Sequence, residues 1–253
     1  MIDVTGKKAL VTGGGTGIGR SIALKLAEAG ADVVVHYGSN RTGAEEVVKE
    51  IEQMGRKALA VQADVLKSNE IEALLKETET FFSGKLDILV NNAGHLVQRS
   101  SIEEMSEELW HKIIDVNVTS TFLVTQKAIP LMKENGGKIV NMASLAAHNG
   151  GGPGAAAYAA SKAAIFTLSK GLAKELSAYN INVNTVSPGF IDETPFHTVF
   201  NTEEGRKNSV KQIPLNRGGK PEDVAGAVLY LVSDVSRFLT GETIEINGGM
   251  FMR

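Results

Sequence analysis

Tyr158 and Lys162 stand four residues apart in "YAASK", a stretch otherwise made of alanine and one serine. On a helix, positions i and i+4 share a face one turn apart. An ammonium beside a phenol favours the phenolate and lowers the tyrosine pKa. A tyrosine tuned in that way gives or takes a proton near neutral pH. The same five letters also fit a plain amphipathic helix with a surface tyrosine and a surface lysine, so other residues must define a site.

A second group is "ALVTGGGTGIGRSIA", with glycines at 13, 14, 15, 17 and 19 between a strand-like and a helix-like run. Gly13 permits a tight turn out of the strand. Gly17 and Gly19 let backbone and helix approach a ligand and the sheet. The helix N-terminus offers N–H groups and partial positive charge to a pyrophosphate. A strand before and a helix after separate a dinucleotide loop from an ordinary glycine turn. The next strand, "VVVHY", ends at Tyr37, where NAD-binding proteins of such a fold carry an acid for the ribose hydroxyls. The first carboxylate afterwards is Glu45; before it come Ser39, Asn40 and Arg41. A guanidinium with hydroxyl and amide neighbours suits a 2′-phosphate. NADP(H) is therefore expected over NAD(H).

The elements that must position these groups alternate. Strand-like runs are "KKALVTG", "ADVVVHY", "KALAVQADV", "LDILVNNAG", "GKIVNMAS", "INVNTVSPG" and "ETIEINGG". Between them lie helical patterns, among them "IGRSIALKLAEAG", a long one from about 107 to 133, the one carrying Tyr158, and "PEDVAGAVLYLVS". This alternation predicts an α/β fold: a Rossmann-type, doubly wound parallel sheet of about seven strands with helices on both faces. The whole chain, 1–253, reads as one domain. Residues 189–220 are the least regular and mix polar residues with Phe190, Phe196, Val199 and Phe200. Such a segment is expected to be a substrate lid.

Composition narrows the function classes. The 253 residues include no cysteine, which excludes disulfides, thiol nucleophiles and thiolate metal sites. A formal charge of -3 gives no bias toward nucleic acid or an anionic membrane. The histidines, at 36, 95, 111, 148 and 197, show no metal-binding spacing. The N-terminal apolar run is too short for a signal peptide, and no run is long enough to span a bilayer. A cytoplasmic location, a small-molecule partner and no metal, nucleic acid or membrane are expected.

The glycine spacing "TGGGTGIG" closely resembles that of the short-chain dehydrogenase/reductase family. "NNAG" at 91–94, Asn117, Ser144, "YAASK" and "SPG" at 187–189 follow in the family's order, so the resemblance covers nearly the whole chain. It implies hydride transfer between a nicotinamide dinucleotide and a carbonyl or alcohol. Tyr158 would exchange the proton, and Lys162 would tune it and hold the nicotinamide ribose. Ser144 would bind the substrate oxygen, and Asn117 would support a water leading to Lys162. The nucleotide would meet Gly13, Gly15, Thr16, Gly17, Ile18 and Gly19 at its phosphates. Tyr37, Ser39, Asn40 and Arg41 would surround the adenosine ribose. Asp64, Val65, Asn91, Ala93 and Gly94 would line the adenosine side. Pro188, Gly189, Ile191 and Thr194 would flank the nicotinamide, with Glu193 read as an insertion.

The nearest well-known relatives by resemblance are bacterial 3-oxoacyl-carrier-protein reductases. Asn135 and Tyr179 occupy the positions of their carrier-docking arginines. "AAHNGGGPGAAAY", "NNAGHLVQR" and "DETPFH" instead resemble reductases of unsaturated-uronate breakdown products. The expected substrate is thus a keto-sugar acid, met by Arg99, His148, Phe196 and His197. A 3-oxoacyl-carrier-protein substrate is the alternative, and a non-catalytic nucleotide sensor of the same fold is a third reading. Helices apolar over more than one face, as "AAYAASKAAIFTLSKGLA" reads, imply coverage on both sides. The family buries them between subunits, so a homotetramer is expected.

Overall fold

The computed structural model describes residues 2–192, 194 and 203–252. Its strands are β1 (Lys8–Val11), β2 (Asp32–Tyr37), β3 (Ala58–Gln62), β4 (Ile88–Asn91), β5 (Gly137–Met142), β6 (Ile181–Pro188) and β7 (Thr243–Ile246). Valine, isoleucine and leucine fill them because both sheet faces are covered. They form one sheet in the order β3-β2-β1-β4-β5-β6-β7. All pairs are parallel, as in Val11↔Val35, Val11↔Val90 and Val90↔Val140.

Chain order moves outward from β1 in one direction and then returns to continue from β4 in the other. The crevice between β1 and β4, at their carboxyl ends, is the topological switch point where such sheets bind ligands. Both catalytic and glycine motifs lie at that end.

One face is covered by α1 (Gly17–Glu28), α2 (Arg41–Gln53) and a C-terminal helix, Pro221–Val232. There Ile22, Leu26, Val47, Ile51 and Val228 bury against Val11, Val33 and Val35. The opposite face is covered by α3 (Ser68–Phe81), α5 (Ser120–Met132) and α7 (Ala156–Leu176), where Ile71, Leu74, Val124, Met132 and Leu176 bury against Leu10, Val34 and Leu89.

The helical pattern of 107–133 is one unbroken helical run with a π-turn inside it. It divides into α4 (Glu107–Ile114), a π-turn at Asp115–Thr119, and α5. The π-turn holds Asn117, and an inserted turn of this kind often marks a functional position. Two short helices, α6 (Ala146–Asn149) and α8 (Glu203–Lys211), add to the expected set; α9 is Pro221–Val232.

Within 189–220, Ile191 bridges Gly219, Asp192 N–H donates to Gly219 O at 2.7 Å, and Gly219 N–H donates to Phe190 O at 3.0 Å. The segment therefore leaves and returns through one pinned neck. Glu193, Phe196, His197, Val199 and Phe200 lie outside the described residues.

Candidate active site

A cavity of about 960 Å³ runs along the switch point from the glycine turn to Tyr158. That is the size of a site for a large cofactor. Its two walls are tied together by polar contacts that sequence reading did not assign. Thr12 Oγ1 accepts from Asn92 N and Ala93 N, both at 3.0 Å, while Asn92 Nδ2 donates to Thr12 O at 2.9 Å and Gly13 O at 3.2 Å. These bonds join the loops after β1 and β4.

The glycines are required by this closeness. A Cβ on Gly19 would lie 2.1 Å from Gly13 O and 2.5 Å from Asn92 Nδ2. Gly13 has φ +64°, a left-handed conformation that glycine adopts without a steric penalty. Gly13, Gly15, Thr16, Gly17, Ile18 and Gly19 all line the cavity. Thr16 caps α1 with an extended backbone (φ −161°) and makes no side-chain capping bond. The first turn of α1 thus borders the cavity with no side-chain cap on its N–H groups, as an anion site needs. A dinucleotide fits this donor set, and the phosphate end would rest on that turn.

At the β2 end, Tyr37, Ser39 and Asn40 line the cavity. Asn40 caps α2, with Oδ1 accepting from Gly43 N at 3.1 Å. Arg41 does not line the cavity; it is 66% exposed and lies 3.6 Å from Glu45. Asp64 and Val65 line the far wall beside Lys67 and Glu70. Lys67 Nζ is 2.9 Å from Glu70 Oε1 and 3.7 Å from Asp64 Oδ2, so this cation is held by two carboxylates.

Ala93 and Gly94 also line the cavity, but Asn91 does not. Side chains alternate along a strand. Asn91 therefore points to the α5-covered face of the sheet, where its Nδ2 donates to Thr125 Oγ1 at 2.9 Å and Asn141 Oδ1 at 2.8 Å. The Asn91 side chain is thus held away from the cavity.

The chemical end is built from β5, β6 and α7. Ser144 follows β5, and Tyr158 and Lys162 lie in the first turns of α7; all three line the cavity. Tyr158 and Ser144 share a side-chain hydrogen bond. Lys162, 4% exposed, donates Nζ to Met142 O at 2.9 Å and lies 5.8 Å from the Tyr158 ring centroid.

Asn117 is fully buried and outside the cavity lining. Its Oδ1 accepts from His95 N at 3.1 Å, and its Nδ2 donates to His95 O and Ile113 O, both at 2.8 Å. Gly94 covers the pair from above: a Cβ there would lie 2.7 Å from Asn117 Oδ1 and 2.9 Å from Lys162 Nζ. Pro188, Gly189, Ile191 and Thr194 complete the cavity, with Thr194 Oγ1 donating to Ile191 O at 3.1 Å.

Titration differs from the expectation. Burial pushes Tyr158 up to about 12, against the pull of the Ser144 hydrogen bond. Burial likewise pushes Lys162 down to about 8. In the chain by itself burial outweighs any pull from the Lys162 ammonium, which bonds Met142 O and lies 5.8 Å from the ring centroid. At neutral pH the phenol is a proton donor and the ammonium beneath it is still mostly charged. Burial, with Lys112 adding to it, also holds His95 below its ordinary value. His95 lines the cavity and was not assigned from sequence.

Two expected substrate contacts do not reach the cavity. Arg99 donates Nη1 to Pro153 O at 2.8 Å. His148 stacks on Phe251 with centroids 4.2 Å apart, and its Nε2 lies 2.8 Å from Glu245 Oε1. Neither is in the lining. Phe196 and His197 fall outside the described residues. Among the described residues there is no carboxylate–histidine cluster able to hold a metal, and no helix long and apolar enough to cross a membrane.

This sheet order and this constellation are those of a known class. The chain belongs to the short-chain dehydrogenase/reductase family of oxidoreductases; the family description matched, enoyl-(acyl carrier protein) reductase, covers residues 13–251. A 3-oxoacyl-(acyl-carrier-protein) reductase of Staphylococcus aureus is 42% identical over 247 residues, covering 97% of this chain and 98% of its own. The enzyme of the same name from Synechocystis sp. is 41% identical over 254 residues, with both chains fully covered. Among solved structures, a 7α-hydroxysteroid dehydrogenase complexed with NADH and 7-oxoglycochenodeoxycholic acid superposes with a TM-score of 0.92 at 35% identity, over 98% of this chain and 95% of its own.

Proposed function

We propose that this oxidoreductase reduces the ketone of a 3-oxoacyl thioester to an alcohol, with NADPH preferred as its reductant. One feature carries the reaction type: Tyr158, protonated at neutral pH, is hydrogen-bonded to Ser144 at the cavity wall with Lys162 held beneath. A nicotinamide dinucleotide supplies the hydride when bound. Ser144 and Tyr158 hold the substrate oxygen, and Tyr158 gives it a proton as negative charge develops there. The Lys162 ammonium then lies where it stabilises the phenolate left behind. Asn117 anchors the loop carrying Gly94 and His95 over Lys162, and so keeps the ammonium in place. The glycine turn with Thr16, Ile18 and the first turn of α1 holds the phosphates.

Two observations support the thioester over the keto-sugar acid. Relatives named for 3-oxoacyl reduction match end to end. Of the cations offered to a sugar acid, neither Arg99, which donates to Pro153 O, nor His148, which lies beside Glu245, lines the cavity. NADPH is favoured because Tyr37, Ser39 and Asn40 line the β2 end of the cavity with no carboxylate among them, and Arg41 follows Asn40 as the first residue of α2. A homotetramer is favoured by exposed apolar groups on the elements concerned: Trp110 and Phe122 on α4 and α5, and Val235 and Phe238 before β7. Light scattering at micromolar concentration should give four times the chain mass; a monomer would reject that assembly.

The substrate is tested by following NADPH oxidation with a 3-oxoacyl coenzyme A thioester, the same acyl group on carrier protein, a keto-sugar acid and a neutral ketone. The thioesters should exceed the sugar acid in kcat/KM by at least about tenfold, the selectivity expected from about 1.4 kcal/mol of transition-state discrimination. A preference for the sugar acid would overturn the reading.

A further inference from the structure

His36 is the next-to-last residue of β2, 2% exposed, and has no part in the chemistry described above. Its Nδ1 lies 3.1 Å from Gly13 N, and its Nε2 lies 3.0 Å from Ala63 O. The partners fix the tautomer. A backbone N–H can only donate, so Nδ1 accepts; a carbonyl can only accept, so Nε2 carries the hydrogen. The ring is therefore a neutral bridge between the glycine turn and the loop after β3. The backbone adds a second tie, since Gly14 N–H donates to His36 O at 2.8 Å.

We propose that His36 is a positioning residue of the nucleotide site: its neutral ring holds the Gly13 N–H, and with it the phosphate-receiving turn, so that nucleotide affinity falls when the ring is protonated. The proposal rests on the dinucleotide reading of the cavity. A protonated ring would place Nδ1–H against the Gly13 N–H, donor against donor, at the distance of a hydrogen bond. Gly13 would have to rotate away. Its φ of +64° and the Asn92 Nδ2 bond to its carbonyl set the turn's shape, so this rotation would disturb both.

The surroundings favour the neutral ring. Burial holds His36 below its ordinary value, with the Ala63 carbonyl opposing. At the level of His36, β3 brings Val61, and the chain leaving β1 brings Gly13 and Gly14, none of them titratable. On its own strand the titratable neighbour is Tyr37. The charged groups lining the same cavity near the loop after β3 are Asp64, Lys67 and Glu70, and Lys67 pairs with both carboxylates. The sign follows from this arrangement. A depressed histidine is neutral at neutral pH, so its contribution is present there and is lost as pH falls through the folded value.

The test uses the full chain, titrated with NADP+ and with NAD+ by calorimetry from pH 7.5 to 4.5, in wild type, His36→Asn and His36→Leu. Asparagine puts Oδ1 where Nδ1 was, so it keeps an acceptor for Gly13 but cannot take up a proton in this range. Relative to His36→Asn, the wild-type dissociation constant should rise progressively as pH falls toward 4.5. Taking this ratio cancels other titrating groups, including the 2′-phosphate. His36→Leu should bind at least about tenfold more weakly than His36→Asn at pH 7.5, the scale of one buried donor left unpaired. In ligand-free protein, the Gly13 amide should be protected from exchange in wild type and His36→Asn, and should exchange faster in His36→Leu. If the leucine variant does not fold, the wild-type to asparagine ratio and the Gly13 exchange still decide. A ratio flat with pH, or a Gly13 amide that exchanges freely in wild type, would overturn the proposal while leaving nucleotide binding intact. Failure of wild type to bind either nucleotide at any pH would overturn the dinucleotide reading and this proposal together.

Discussion

Lys162→Met should separate stability from activity, with a pH signature set by burial. Methionine matches the lysine stem in length and fills the same volume. The lysine is 4% exposed, and burial lowers its value from 10.5 to about 8. That gap corresponds to about 3 kcal/mol. A depressed lysine penalises the fold most below its folded value, where the ammonium is charged in both states. The penalty fades as pH rises from about 8 to 10.5, where the folded chain has lost the proton and the unfolded chain still holds it. The stability of wild type relative to Lys162→Met should therefore improve by about 1–3 kcal/mol between pH 7 and 10.5, or roughly 2–12 °C in the difference of melting temperatures. Groups that titrate elsewhere appear in both proteins and cancel. The assay is paired thermal melts of ligand-free protein across that range, with turnover measured at pH 7. Turnover should fall by about two orders of magnitude or more, since the charge that stabilises the phenolate is gone. A difference in melting temperature that stays flat with pH would refute the reasoning, because it would mean that Lys162 is not desolvated as the structure places it.

Arg41→Ala should raise the Michaelis constant for NADPH by about tenfold or more and leave that for NADH nearly unchanged, since one charged hydrogen bond is worth about 1.5–3 kcal/mol. Equal changes in steady-state kinetics with both cofactors would remove Arg41 from the 2′-phosphate. Gly94→Ala should lower turnover by about tenfold or more, because its methyl would press on Asn117 Oδ1 and Lys162 Nζ at 2.7 and 2.9 Å. Wild-type turnover in a folded Gly94→Ala enzyme would show that neither group needs its present place.

The order of elements and the glycine turn were legible because strand and helix periods and a run of glycines are local signals. The parity of "NNAG" was not. Asn91 and Asn92 are adjacent letters, but the end of β4 sends one toward Thr125 and the other toward Thr12 and Gly13. His148 lies on a segment that flanks the cleft. A single turn of α6 carries it to Glu245 on β7 instead, a partner 97 residues away. The π-turn at Asn117 left no trace in the hydrophobic pattern, since one inserted residue shifts that pattern only slightly. His36 looked like a stray histidine because its partners are two backbone groups brought together by strand pairing. The tyrosine's upward shift also depends on burial, which the letters "YAASK" do not encode.

The central claim is that Tyr158 delivers the proton in a dinucleotide-dependent carbonyl reduction, and a single-turnover experiment tests it most directly. Enzyme saturated with NADPH is mixed with a 3-oxoacyl thioester, and loss of reduced cofactor is followed in wild type and Tyr158→Phe. Nucleotide affinity is measured separately by fluorescence. The account predicts a rate about two to four orders of magnitude lower in Tyr158→Phe, with NADPH affinity changed by less than about threefold. A folded Tyr158→Phe enzyme that oxidises NADPH at near the wild-type rate would contradict it.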